Sequence, residues 1–158
     1  MPGGVFGSGN GGKSWSTLLA DTAFVEVWFD PGAPQRVLAR SLDQKLYRSL
    51  DGGASWLEIS PVPDEDVSSW VVDARSTSRL LAVTRTSLYR SEDFGTSWVP
   101  EPLPQVLGDT TFVKLLASAA DGTVWAGFLV QLAVDGTARQ GLYRSTDFGQ
   151  TWSRRAAG

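Results

Sequence analysis

The sequence contains neither cysteine nor histidine. That double absence excludes disulfides, thiol catalysis, zinc sites built on thiolate or imidazole, and any mechanism with histidine as general base. No cofactor is implied. There is no apolar run long enough to span a bilayer and no polar low-complexity tract that would argue for disorder. Charge of one sign is also scarce: the formal net charge is −3, and the one basic cluster is Arg154 with Arg155. The expectation is therefore no nucleic-acid partner and no membrane insertion. Residues Met1 to Ser8 lack a basic stretch followed by an apolar one, so no signal peptide is visible, and the compartment stays open. No segment sustains helical periodicity beyond two turns.

What is present is a repeat. The composition is globular, 42% hydrophobic with seven Trp in 158 residues, enough for one domain-sized core. Ser49, Asp51, Gly53, Ser55 and Trp56 recur at the same spacing as Ser91, Asp93, Gly95, Ser97 and Trp98. They recur again as Ser145, Asp147, Gly149, Thr151 and Trp152. A fourth copy comprises Ser8, Asn10, Gly12, Ser14 and Trp15, with Asn in place of Asp. The copies begin 41, 42 and 54 residues apart, and Leu-Tyr-Arg precedes each of the last three, at Leu46, Leu88 and Leu142. Periods of this length mark repeat architectures.

The residue types describe a tight hairpin turn. The short Asp or Asn side chain accepts hydrogen bonds from backbone N–H groups just ahead of it. Gly supplies a positive φ, and the Ser or Thr hydroxyls close a small polar network. Trp is expected to bury its ring at the root of the turn. Short β-branched and aromatic runs flank each turn. They are read as strands at Phe24–Asp30, Val37–Ser41, Lys45–Ser49 and Trp56–Ile59, then at Val67–Asp73, Leu80–Thr84, Ser87–Ser91 and Trp98–Pro100. The last set is Phe112–Ala119, Val124–Leu132, Gly141–Ser145 and Trp152–Arg155. Four short strands per period predict an all-β fold, a β-propeller of four-stranded antiparallel blades.

These motifs resemble the Asp-box, or BNR-repeat, superfamily, which includes sialidases, xyloglucanases, sortilin-like receptors and photosystem II assembly factors. The stretch from Val27 through Asp30 and Pro31 to Pro34, Val37 and Ala39 is similar to the first half-blade of the xyloglucanase and sortilin type. The resemblance implies that each box lies on an outer hairpin, remote from the ligand face, and that the box speaks for fold and not for function. It also implies an extracellular or cell-surface setting.

Catalysis is not expected. Sialidase-like chemistry needs a unique Tyr nucleophile, whereas Tyr47, Tyr89 and Tyr143 all hold one repeat position. Glycoside hydrolysis of the xyloglucanase kind needs two opposed carboxylates. The acids outside the repeat, Asp64, Glu65, Asp66, Glu101 and Asp109, carry no pattern that opposes them. The expected role is a non-catalytic interaction or assembly module, bound to a protein partner or to its own copy through open blade edges. The alternative is a fragment of a carbohydrate-processing enzyme with a glycan ligand. Loop insertions are where repeat proteins place function. The stretched third spacing puts the candidate partner contact at Val130, Gln131, Leu132, Val134 and Asp135. Blade counting gives a half-blade at 5–16 and full blades at 22–60, 66–100 and 111–155 within one module, 1–158. That is about three and a half blades, an incomplete or oligomer-completed ring.

Overall fold

The computed structural model describes residues 4–20, 22–62, 65–84, 87–102, 111–130 and 139–155. Every regular element among them is a β-strand. Strands β1 (Gly4–Gly7) and β2 (Ser16–Ala20) pair as a two-stranded sheet I. Sheet II contains β3 (Phe24–Phe29), β4 (Val37–Ser41), β5 (Leu46–Ser49) and β6 (Leu57–Glu58) in that order. Sheet III repeats the order with β7 (Ser69–Asp73), β8 (Ser76–Val83), β9 (Leu88–Ser91) and β10 (Val99–Glu101). Sheet IV follows with β11 (Thr111–Ser118), β12 (Val124–Val130), β13 (Arg139–Ser145) and β14 (Ser153–Arg155). All pairs are antiparallel between neighbours in sequence, so each sheet is a meander: three full four-stranded blades and one half.

The second strands of sheets II and III carry runs of fully buried apolar residues. Val37, Leu38 and Ala39 on β4, and Leu80 through Val83 on β8, are shielded on both faces. That is why these segments read as continuous apolar runs and not as alternating ones. The turn between first and second strands carries a buried carboxylate. Asp30 accepts from the Gly32 amide at 2.9 Å and pairs with Arg36 at 3.2 Å. Asp73 holds the same place in sheet III, accepting from the Arg75 amide at 3.0 Å and from Arg79 Nη1 at 2.8 Å. In each, the partner Arg lies six residues on. Asp73 also pairs with Arg75 Nε at 3.2 Å, so removing Arg36 would leave Asp30 without a compensating charge, whereas removing Arg79 would leave Asp73 one partner, Arg75.

The chain divides into two compact units, Met1–Ser60 with sheets I and II and Pro61–Gly158 with sheets III and IV. In the second unit β11 lies beside β7: the Leu116 amide donates to Ser69 Oγ at 3.0 Å, and Ser118 Oγ donates to the Val72 carbonyl at 2.9 Å. Leu81, Val83 and Leu88 of sheet III join Leu116, Val124, Ala126, Tyr143 and Phe148 of sheet IV in one core. In the first unit, Phe24 stacks edge-on against Tyr47 at 5.5 Å and lies 5.3 Å from the Trp56 ring.

Candidate functional site

The four boxes close with one hydrogen-bond plan. The first Ser Oγ accepts from the amide of the box Gly at 2.8 Å in every copy: Ser8 from Gly12, Ser49 from Gly53, Ser91 from Gly95 and Ser145 from Gly149. The same hydroxyl donates to the acidic or amide side chain, Asn10, Asp51, Asp93 or Asp147, at 2.7–3.0 Å. That side chain then accepts from the amide four residues on, of Ser14, Ser55, Ser97 or Thr151, at 2.8–2.9 Å. In the three Asp copies the hydroxyl of this last residue donates to Oδ2 at 2.5–2.6 Å. In the first copy the sense reverses, and Asn10 Nδ2 donates to Ser14 Oγ at 2.8 Å. Amide and carboxylate thus build one shape by opposite donor logic.

The bonds act on the carboxylates. The Ser55 hydroxyl and amide, followed by Ser49, hold Asp51 down to about 2. At Asp93 burial pushes upward, but the bonds from Ser97 and Ser91 outweigh it and the carboxyl again lies at about 2. Burial likewise opposes, and Thr151 with Ser145 overcomes, at Asp147, which is also lowered. Hydrogen bonds to the charged form stabilise it.

The two residues after the acid both take left-handed backbone. In the first two boxes both are Gly: Gly11 and Gly12 (φ 69° and 84°), then Gly52 and Gly53 (φ 73° and 95°). In the last two the first is Phe, with Phe94 at φ 58° and Phe148 at φ 53°. An L-residue in that region costs about 1–2 kcal/mol. Full burial of a Phe side chain contributes about 1.5–3 kcal/mol, and Phe148 is 0% and Phe94 4% exposed. Burial therefore carries the strain. Within the boxes these Phe residues, not the Trp residues, are the buried aromatics. Trp56, Trp98 and Trp152 are half-buried and Trp15 is 64% exposed. The expectation of a buried Trp anchor is corrected on this point. Trp15, Trp56 and Trp152 donate Nε1–H to the box Gly carbonyl at 2.9–3.1 Å, which ties each ring to the turn it follows.

Sheets III and IV show what a box does when a neighbouring sheet covers it. A Cβ on Gly149 would lie 2.9 Å from Leu81 Cδ1 on β8, so the turn sits directly on the neighbour's second strand. Arg79, already bound to Asp73, places its guanidinium 4.9 Å from the centre of the Phe148 ring. In the first unit the equivalent Gly53 meets Leu18 of β2 at the same 2.9 Å; among the described residues sheet I has two strands, β1 and β2. Beside that contact a groove of about 690 Å³ remains open. Its walls include Val5 and Phe6 of β1, Trp15, Val27 and Phe29 of β3, and Trp56, and no charged side chain lines it.

The candidate acids are not gathered by this geometry. Glu101 is tied to Arg90 Nε at 2.5 Å, and Arg90 also pairs with Glu92. Glu65 and Asp66 lie before β7, while Asp64 and Asp109 fall outside the described residues. Of the candidate partner contact, Val130 ends β12, and Gln131, Leu132, Val134 and Asp135 lie outside the described residues. Among the described residues no group of three or more acidic side chains could hold a metal ion, and no helix is long and apolar enough to cross a membrane. The paired Asp–Arg turns and the Phe positions went unread in the sequence. Identical residues at one box position, Phe94 and Phe148, were the signal for the latter.

Residues 143–154 match the family model of the BNR/Asp-box repeat, and residues 88–100 match that of the BNR-Asp box repeat. No curated protein matches the sequence. Among solved structures, an ancestral GH74 enzyme is similar over 96% of this chain and 23% of its own, with 17% identity and a TM-score of 0.71. YCF48 bound to D1 peptide is similar over 84% of this chain and 40% of its own, with 19% identity and a TM-score of 0.56. The GH74 xyloglucanase from Xanthomonas campestris is similar over 91% of this chain and 32% of its own, with 20% identity and a TM-score of 0.52. The chain thus spans less than half the length of each, and identities at this level speak for fold alone. With its repeated box turns, its meandering four-stranded sheets and these likenesses, the chain is a BNR/Asp-box repeat β-propeller chain.

Proposed function

We propose that this chain is a non-catalytic protein-interaction or assembly module. The observation that carries the reading is the placement of its exposed apolar side chains. Of the ten large apolar side chains left substantially exposed among the described residues, eight (Phe6, Trp15, Val25, Val27, Phe29, Leu42, Leu50 and Leu57) belong to the first unit and two, Val99 and Leu142, to the second. Several of them converge on a groove without charge. Contiguous apolar surface of this kind marks a contact site for another molecule. The peptide held by YCF48, a similar propeller, supports the same direction. The ion pair that occupies Glu101 supports it too, since a carboxylate bound by Arg is poorly placed to move a proton.

The GH74 likenesses make glycoside hydrolysis the reading to test against. Incubation with xyloglucan oligosaccharides and with sialylated glycans, followed by product analysis, is expected to show no turnover above the blank. Turnover that disappears in Glu65→Gln or Asp66→Asn, with the far-UV circular dichroism unchanged, would overturn the proposal.

A further inference from the structure

We propose that Asn10 is a site of spontaneous covalent modification: attack by the Gly11 nitrogen and then by water releases its side-chain nitrogen as ammonia, and the first box becomes a fourth carboxylate box. This modification does not depend on the interaction reading.

Three observations carry it. Asn10 is the only asparagine in the sequence, it holds the position that is Asp in the other three boxes, and Gly11 follows it. Glycine has no side chain to crowd its own nitrogen, so the approach of that nitrogen to Cγ is unhindered. Asn10 and Gly11 are both exposed at the tip of the turn. That exposure belongs to the box itself: Asp51 and Gly52 are exposed as well, although Gly53 of their turn lies against Leu18. Lastly, the box holds Asn10 Oδ1 between two donors, Ser8 Oγ–H at 3.0 Å and the Ser14 amide at 2.9 Å.

In the first step the Gly11 nitrogen bonds to Cγ and an electron pair moves onto Oδ1, where the two donors stabilise the charge. The Cγ–Nδ2 bond then breaks, and the nitrogen leaves as ammonia with the proton that Gly11 gives up. What remains is a cyclic imide, which water opens. Addition at Cγ breaks the new bond, returns a proton to Gly11 and leaves a carboxyl on residue 10. Addition at the main-chain carbonyl carbon of residue 10 instead leaves the chain running through Cγ, a longer linkage that does not fit the spacing of the box bonds.

The second box shows why the carboxyl product persists. Asn10 Nδ2 donates to Ser14 Oγ at 2.8 Å, whereas Ser55 Oγ donates to Asp51 Oδ2. Loss of the amide lets Ser14 reverse its bond in the same way, within the same turn. Asp51 is also followed by glycine. Its hydrogen bonds hold the carboxyl at about 2, and an ionised carboxylate resists attack by the next nitrogen. The conversion therefore runs one way, and it moves the formal net charge by one, from −3 to −4.

The test ages the full chain in mildly alkaline buffer and follows intact mass and released ammonia. A gain of about 1 Da is expected, matched by ammonia and mapped by fragmentation to residue 10. The Asn10→Asp chain is expected to show no gain there. Gly11→Asp, a residue type that tolerates the φ of 69°, and independently Gly11→Phe, which copies the last two boxes, crowd the attacking nitrogen. Each is expected to slow the gain by about tenfold or more. In the aged chain the Ser14 amide is expected to titrate in acid as it does in fresh Asn10→Asp. The proposal is overturned if residue 10 gains no mass while a peptide of residues 8–14 converts in the same buffer, since the box then shields the amide. A gain confined to glutamines overturns it, as does an undiminished rate in both Gly11 variants with circular dichroism unchanged. So does an aged chain whose Ser14 amide never titrates, since the product is then the longer linkage.

Discussion

In the second unit a box turn rests on a neighbouring sheet, and in the first the same turn faces an open trough. The hydrogen bonds of Ser145, Asp147 and Thr151 match those of Ser49, Asp51 and Ser55 within about 0.1 Å. What differs is the residue between the acid and the glycine. Where Leu81 and Arg79 give cover, Phe148 takes a left-handed backbone and fills the interface. Where no inner strand stands opposite among the described residues, Gly52 takes the same backbone and fills nothing. The box therefore sets the turn, and the neighbouring sheet decides what the turn carries.

That division can be broken most directly at the ring. Phe148→Ala should lose about 3–5 kcal/mol in urea unfolding followed by circular dichroism, because the ring is wholly enclosed. Trp15→Ala, the exposed aromatic of the first box, should stay within about 0.5 kcal/mol. Equal losses would mean that cover does not distinguish the units. The next effect concerns the hydroxyl that starts each box. Ser145 is buried and Ser8 is not. Ser145→Ala leaves the Gly149 amide without its acceptor and should cost about 1–3 kcal/mol, whereas water replaces Ser8 Oγ and Ser8→Ala should cost under about 1 kcal/mol. The same unfolding measurement decides it.

The smallest effect is acidic and sharpens the contrast between Asp and Asn. Asp51 and Asp93 lie at about 2 in the folded chain, below the roughly 3.9 of an unfolded Asp. A depressed carboxylate gives stability that is complete above about pH 4 and is lost as pH falls toward about 2. Asn10 has no such proton to take up. In an NMR titration the Ser55 and Ser97 amides should move with midpoints near 2, while the Ser14 amide stays still. Asn10→Asp should make Ser14 follow them. Midpoints at the ordinary carboxylate value would contradict the hydrogen-bond account.

The repeat, the strand order and the all-β propeller class were legible because their causes are local. A box is written within eight residues, and its bonds join residues no more than four apart. Most strand ends slipped by one or two residues, and β8 begins four residues earlier than read, at Ser76; Trp56 and Trp152 belong to the turn through their Nε1–H bonds, so β6 and β14 begin one residue later than read. The groove was illegible because it depends on which sheet stands opposite. So did the fate of Phe148, whose ring lies on β8 nearly seventy residues earlier in the chain, as Arg79 and Leu81 show. The Asp30–Arg36 and Asp73–Arg79 pairs could have been read from their shared spacing, but only with the knowledge that both carboxylates are buried.

The shortness of the box bonds has a kinetic consequence. Contacts between residues this close form in about 1–10 μs, as isolated hairpins do, whereas the Leu116–Ser69 bond must first close a loop of 47 residues. Outer hairpins are thus set early and inner sheets dock onto them later. A chain that folds in this order presents finished turns to whatever strands arrive, whether they come from its own sequence or from another.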